Sequence, residues 1–135
     1  MDEGKIRTLF QAARVASLAT VRPDGRPHLV PVTFAVDGDR IVTAVDHKPK
    51  RTTSLQRLEN IRSNPAVSLL AHRYDADWTR LWWARVDGEA QVVEEGTDHK
   101  AAVELLVGKY RQYRARPPEG PAILVDATGW RGWSA

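Results

Sequence analysis

The segment Arg40–Pro65, RIVTAVDHKPKRTTSLQRLENIRSNP, reads as a strand that empties into a basic turn, which in turn opens a helix. Arg40 to Val45 are mostly β-branched or small, with Val42 and Ala44 on one face and Ile41, Thr43 and Val45 on the other. Such a strand is buried on at least one side. Asp46, His47, Lys48, Pro49, Lys50 and Arg51 follow, and then Thr52 or Thr53 stands where a helix cap belongs. Thr53 with Gln56 three residues on fits a capping box. Leu55, Leu58 and Ile61 recur at helical spacing until Asn64-Pro65 stops them, which predicts a helix from near Thr53 to Asn64.

Lys48, Lys50 and Arg51 lie just before that helix N-terminus, where free N–H groups already carry partial positive charge and a cation costs roughly 0.3 to 1 kcal/mol. A phosphate bound there resolves the conflict. Solvated, mobile cations are the plain alternative, and they leave the clustering unexplained.

A chain of 135 residues fits one domain, spanning 1–135, with a small core. Cysteine is absent, which excludes disulfides and thiolate metal sites and is compatible with a reducing cytoplasm. The opening MDEGKIRTLFQAARVASLAT mixes charges with apolar residues, unlike a signal peptide or membrane span, so a soluble cytoplasmic protein is expected. A formal charge of +3 is small for a nucleic-acid binder, and no nucleic-acid motif accompanies it. Trp78, Trp82, Trp83, Trp130 and Trp133 all stand within two residues of an arginine, a composition suited to a stacking surface for a planar ligand or a partner subunit.

Ile6, Leu9, Phe10 and Ala13 make the apolar stripe of a short helix that plugs one end of a β-structure. Ala16–Val21 is a strand, Arg22-Pro23-Asp24-Gly25 a turn, and His28–Val36 a second strand, apolar on both faces and therefore sandwiched. Pro31 within it has no N–H to donate and belongs at an edge, a bulge, or beside a ligand. Asp24-Gly25, Asp37-Gly38 and Asp87-Gly88 predict three hairpins. Ala66–His72, Leu81–Val86, Ala90–Glu94 and Ala122–Ala127 are further strands, and a helix capped by Thr97-Asp98 buries Val103, Leu106, Val107 and Tyr110. The fold class is therefore mainly β: six or seven antiparallel strands with peripheral helices, forming a small closed or partly closed barrel. So small a barrel has a packed interior, which places any ligand on its outside or between two copies.

Gly-rich phosphate loops, the zinc-protease motif, the nucleophile elbow and cysteine nucleophiles are all missing. His28, His47, His72 and His99 are scattered along the sequence rather than set at ligand spacing, and Asp75 and Asp77 read as a solvated loop as readily as a carboxylate pair. An enzyme lacking such groups can act through a bound redox cofactor.

The run ASLATVRPDGRPHLVPVTFAVDGDRIVTAVDHKPKR, followed by NIRSNPAVSLL, resembles the pyridoxamine-phosphate-oxidase-like split β-barrel proteins, and among them the actinobacterial branch that uses the deazaflavin coenzyme F420. The resemblance runs from about Ala16 to Val93, and Trp130–Trp133 looks like the family's terminal Trp segment. It implies a homodimer with the cofactor at the interface. The ring would lie by His28, Val30, Pro31 and Val32 and by Thr43, Ala44, Val45 and Asp46, with Trp78 and Trp133 as neighbouring aromatics. The phosphate would fall to Lys50, Arg51 and Thr52, counted forward from the strand, or to Arg57, counted back from Asn64-Pro65. Hydride transfer between F420 and an electron-poor organic substrate is the implied reaction, with no metal and no catalytic side chain assigned. An FMN-binding oxidase of the same fold and a non-catalytic F420 carrier are the alternatives.

Overall fold

Seven strands form one antiparallel sheet in the computed structural model, which describes residues 1–46 and 55–135. They are β1 (Ala16–Val21), β2 (Pro27–Val32), β3 (Ala35–Asp37), β4 (Arg40–Ala44), β5 (Ala66–Arg73), β6 (Trp82–Val93) and β7 (Ala122–Ser134). Around them lie α1 (Glu3–Ala12), α2 (Gln56–Ser63), α3 (Thr97–Lys109) and the short α4 (Gln112–Ala115). The order β2-β1-β5-β6-β7-β4-β3 puts β2 and β3 at opposite ends of the sheet. Val32 ends one and Ala35 begins the other, so the two edges come within roughly 11 Å by chain geometry alone. The sheet must curl into a barrel whose edges meet at Thr33–Phe34.

Phe34, Leu18, Ile41, Leu69, Val86, Ile123 and Val125 fill the interior. Phe10 of α1 closes one end, its ring 4.7 Å from Phe34 and edge-on to Trp130 at 5.7 Å. Helix α3 covers the outer face of β3, β4 and the start of β7 with Ala102, Leu106 and Tyr110. Residues 122–125 are consequently buried on both faces, as a continuous apolar run requires. Among the described residues no helix is long and apolar enough to cross a membrane.

Several boundaries differ from the sequence reading. His28–Val36 is two strands, because the chain crosses the barrel seam at Thr33–Phe34. Its first half is an edge strand that among the described residues pairs with β1 alone, with Leu29 67% exposed, and is not sandwiched; Pro31 sits on that edge, where a missing N–H breaks no ladder. Asp87-Gly88 makes no hairpin. It runs on inside the long β6, opposite a bulge in β7 whose extra residue is Thr128, and a side chain on Gly88 would meet the Asp126 carbonyl oxygen and the Val125 side chain. The Trp130–Trp133 segment continues β7, and Trp130 is buried. Gly96, not Thr97, is the N-cap of α3, and no side chain bonds there. Leu55 is the N-cap of α2; Thr53 lies outside the described residues, and the Gln56 amide donates to Asn60 Oδ1 at 2.7 Å instead of turning back to a cap.

Candidate functional site

Strand β3 begins pairing with β4 only at Ala35 opposite Val42. Thr43 and Ala44, beyond that point, pair with β7 on their other side and among the described residues have no strand toward β2. The barrel is split here, and the split forms a groove of about 330 Å³ lined by Val15, Pro31, Val32, Thr33, Thr43, Ala44, Asp46 and Arg57. Pro31 to Thr33 form one rim and Thr43 to Asp46 the other, while α2 delivers Arg57.

The end of β4 is held from behind. Val45 N–H donates to the Pro121 carbonyl at 2.9 Å, and Gly120 N–H donates to the Val45 carbonyl at 3.0 Å. A Cβ on Gly120 would stand 2.6 Å from that carbonyl oxygen, so the close approach needs glycine. Helix α2 is anchored by Leu58 and Ile61 in the core and by the buried Asn60.

Arg57 is half-buried on the groove, and burial lowers its guanidinium below the ordinary arginine value while the charge of Asp46 works the other way. No ion pair within 4 Å holds it among the described residues. A partly desolvated cation in that position is disposed to accept an anion. Opposite stands Thr33, whose Oγ1 lies 2.8 Å from the hydroxyl of Tyr113. Burial chiefly, with the nearby Asp46 carboxylate adding to it, pushes the Tyr113 phenol up to about 12.

Of the residues selected from sequence, Pro31, Val32, Thr43, Ala44 and Arg57 come together in this groove, with Asp46 at the strand end. Val45 points into the barrel core, and Val30 packs against that same core. His28 pairs across from Thr20, its Nδ1 buried without a hydrogen-bond partner among the described residues. Lys50, Arg51 and Thr52, the first-choice phosphate residues, lie outside the described residues, as do His47 and Lys48. Trp78 and Trp133 are not among the groove's lining. Trp133 helps line a separate apolar hollow of about 570 Å³ on β5, β6 and β7, with Trp82, Trp83 and Tyr74; the Trp78 indole N–H donates to the Tyr74 hydroxyl at 3.4 Å. The arginines at that hollow already have carboxylates, Arg73 with Asp75 and Arg85 with Asp87. Asp75 and Asp77 cap their own turn, accepting from the Asp77 and Thr79 N–H groups.

Sequence reasoning missed Val15, Thr33 and Tyr113. The Tyr110/Tyr113 pair at i, i+3 is a signal for the last, of which the sequence reading uses only Tyr110, on the buried stripe of a helix.

Residues 2–134 match the sequence profile described as pyridoxamine 5'-phosphate oxidase. Among solved structures the chain is similar to a conserved hypothetical protein of Mycobacterium tuberculosis, at 24% identity and a TM-score of 0.79, covering 99% of this chain and 85% of that one. It is similar also to an FAD-binding protein of Mesorhizobium loti, at 18% identity and a TM-score of 0.74, over 98% of this chain and 94% of that one. The FAD-binding protein of Mycobacterium smegmatis gives 18% identity and a TM-score of 0.68 over the same shares, 98% and 94%. At such identities the likeness establishes the fold. No curated protein matches.

Proposed function

The chain belongs to the pyridoxamine 5'-phosphate oxidase family, and from that premise we propose that it is a cytoplasmic, single-domain oxidoreductase that binds a flavin-type cofactor, F420, in the groove at the barrel split. The observation that carries the reading is the placement of a half-buried Arg57, with no ion pair within 4 Å among the described residues, beside a rim of Pro31, Val32, Thr43 and Ala44. The residues fit such a group: a cation for its phosphate, apolar surface for its ring, and the polar atoms of Thr33 and Asp46 between them. When bound, the cofactor supplies the hydride that reduces an electron-poor organic substrate.

The protein's own part is placement and water exclusion. Arg57 binds the anionic tail, while Val32 and Ala44, both buried, keep the rim dry. Lys50, Arg51 and Thr52, the first choice for the anion on sequence grounds, lie outside the described residues and are the competing anion site. Leu29 and Val15, 67% and 54% exposed beside the split, favour a homodimer that covers this side of the barrel.

The FAD-binding proteins of similar fold favour FMN as the second reading. Titration with F420 and with FMN, followed by quenching of tryptophan fluorescence, tests both. Saturable F420 binding is expected; failure of both ligands to bind at tens of micromolar rejects the function. An FMN enzyme would purify yellow, and a carrier would bind F420 yet reduce no quinone, enone or tetrapyrrole acceptor.

A further inference from the structure

An antiparallel strand turns its backbone groups alternately to its two neighbours, so one fixed hydrogen bond sets the direction of every other residue along it. In β4 the Val45 N–H donates to the Pro121 carbonyl and the Val45 carbonyl accepts from the Gly120 N–H, both on the β7 side. At the other end of the strand the Asp39 carbonyl accepts from the Ala127 N–H, again on that side. Ile41 and Thr43, in step with these two, therefore face β7. Arg40, Val42 and Ala44 face the opposite way, toward β3. Arg40 and Val42 meet Asp37 and Ala35 there. Ala44 meets no strand among the described residues, because the next partner in register is Thr33 and β3 begins only at Ala35.

The N–H and the carbonyl of Ala44 thus both point into the split, and among the described residues neither has a hydrogen-bond partner. Ala44 is only 8% exposed, and backbone groups in so covered a place are nearly always paired. Phe34, on the seam, makes the contrast: its N–H donates to the Tyr110 hydroxyl at 3.1 Å and its carbonyl lies 3.0 Å from the same oxygen. The fold gives Phe34 a side chain and leaves Ala44 open. On the facing rim the Arg22 N–H donates to the Arg26 carbonyl, so by the same alternation Pro27, Leu29 and Pro31 turn their backbone away from β1. At Pro31, the one of these that lines the groove, this leaves a carbonyl and no N–H. The split therefore presents a donor and an acceptor side by side on Ala44 and a lone acceptor on Pro31. A donor and an acceptor on one extended residue match a ligand edge that carries a carbonyl next to an N–H, as in a lactam or a cyclic imide.

We propose that Ala44, through its main chain alone, is the specificity-determining element of the groove, its N–H donating to a carbonyl and its carbonyl accepting an N–H on the lactam or imide edge of a planar heterocycle. The inference rests on the cofactor reading above, since a flavin-type ring carries a cyclic imide, and it adds which edge of that ring the protein reads. Selectivity comes from the cost of leaving the pair unmatched in a partly dry site. It also accounts for a rim whose side chains are mostly apolar: recognition there needs no polar side chain.

Amide hydrogen exchange, followed by nuclear magnetic resonance, is the test. In the free protein the Ala44 N–H should exchange about tenfold faster or more than those of Thr43 and Val45, which β7 protects. FMN or F420, whichever binds, should slow Ala44 by about tenfold beyond any slowing of those two neighbours. The same cofactor methylated at the ring imide nitrogen should bind about tenfold more weakly. An Ala44 amide already as protected as its neighbours in the free protein overturns the proposal. So does bound cofactor that slows all three amides alike, or equal affinity for the methylated form; in both cases the cofactor reading stands. Protein that binds neither cofactor overturns both.

Discussion

The side-chain amide of Asn60 donates to the hydroxyl of Thr20 across 2.9 Å, joining α2 to β1 with both residues inside the protein. Asn60 Oδ1 is filled in turn by the Gln56 amide at 2.7 Å. Removing one partner strands the other without water, at a cost of about 1 to 3 kcal/mol. Asn60→Leu should therefore lower the urea midpoint clearly, and Thr20→Val should lower it by less. Since α2 carries Arg57, cofactor affinity should fall in step with stability in Asn60→Leu.

Arg57→Ala tests the anion contact directly. A charge-assisted hydrogen bond contributes about 1.5 to 3 kcal/mol, so F420 affinity should drop by roughly ten- to a hundredfold. The fold should lose little, because the guanidinium has no ion-paired carboxylate to strand among the described residues. The double substitution Lys50→Ala with Arg51→Ala is the competing arm. Affinity retained in the double variant and lost in Arg57→Ala would assign the anion to α2, and the reverse result would assign it to the basic turn.

Gly120→Ala should damage stability and binding together. Its Cβ would meet a backbone carbonyl, that of Val45, which cannot swing aside as a side chain can. A loss of about 1 to 3 kcal/mol in chemical denaturation is expected. Val45 adjoins the groove residues Ala44 and Asp46, so a weaker cofactor dissociation constant should accompany it.

Lys109 gives the protein a pH dependence of known sign. Its Nζ is buried without a hydrogen-bond acceptor among the described residues, 3.8 Å above the Phe34 ring. Burial, helped by the charge of Arg14, lowers its pKa to about 8. The unfolded chain keeps this proton to about pH 10.4, so between roughly 8 and 10.4 the unfolded state binds more protons and stability rises with pH. Above about 10 the raised Tyr113 reverses the slope, because the folded state then holds the extra proton. Lys109 is half-exposed and attracted by the ring, so the gain is discounted to roughly 1 kcal/mol. Urea midpoints at pH 8 and 9.5 should show the rise in wild type and not in Lys109→Met.

Periodicity and turn chemistry made most of the barrel legible. β1 appears over the residues where alternation and Asp24-Gly25 place it, and the stop at Asn64 agrees with the helix C-cap. The failures were places where tertiary contact overrode a local signal. Asp87-Gly88 has the composition of a hairpin, yet β5 and β7 pair along both sides of β6 and keep it extended, opposite a bulge in β7. The break at Thr33–Phe34 left no mark in VPVTFAV, since the barrel seam is a property of closure and not of the segment. The site was legible in part for the same reason. Pro31 announced an unpaired edge and the strand end at Thr43–Asp46 its counterpart, while the contribution of Tyr113 depends on a helix some eighty positions away.

The place where the sheet's first and last strands are tied covalently is also where the groove lies. Any molecule seated there grips both rims and acts as a clasp: its affinity is added to the work needed to unroll the barrel. Loaded protein should on that account resist proteolysis first along β2, whose outer edge no other strand among the described residues protects.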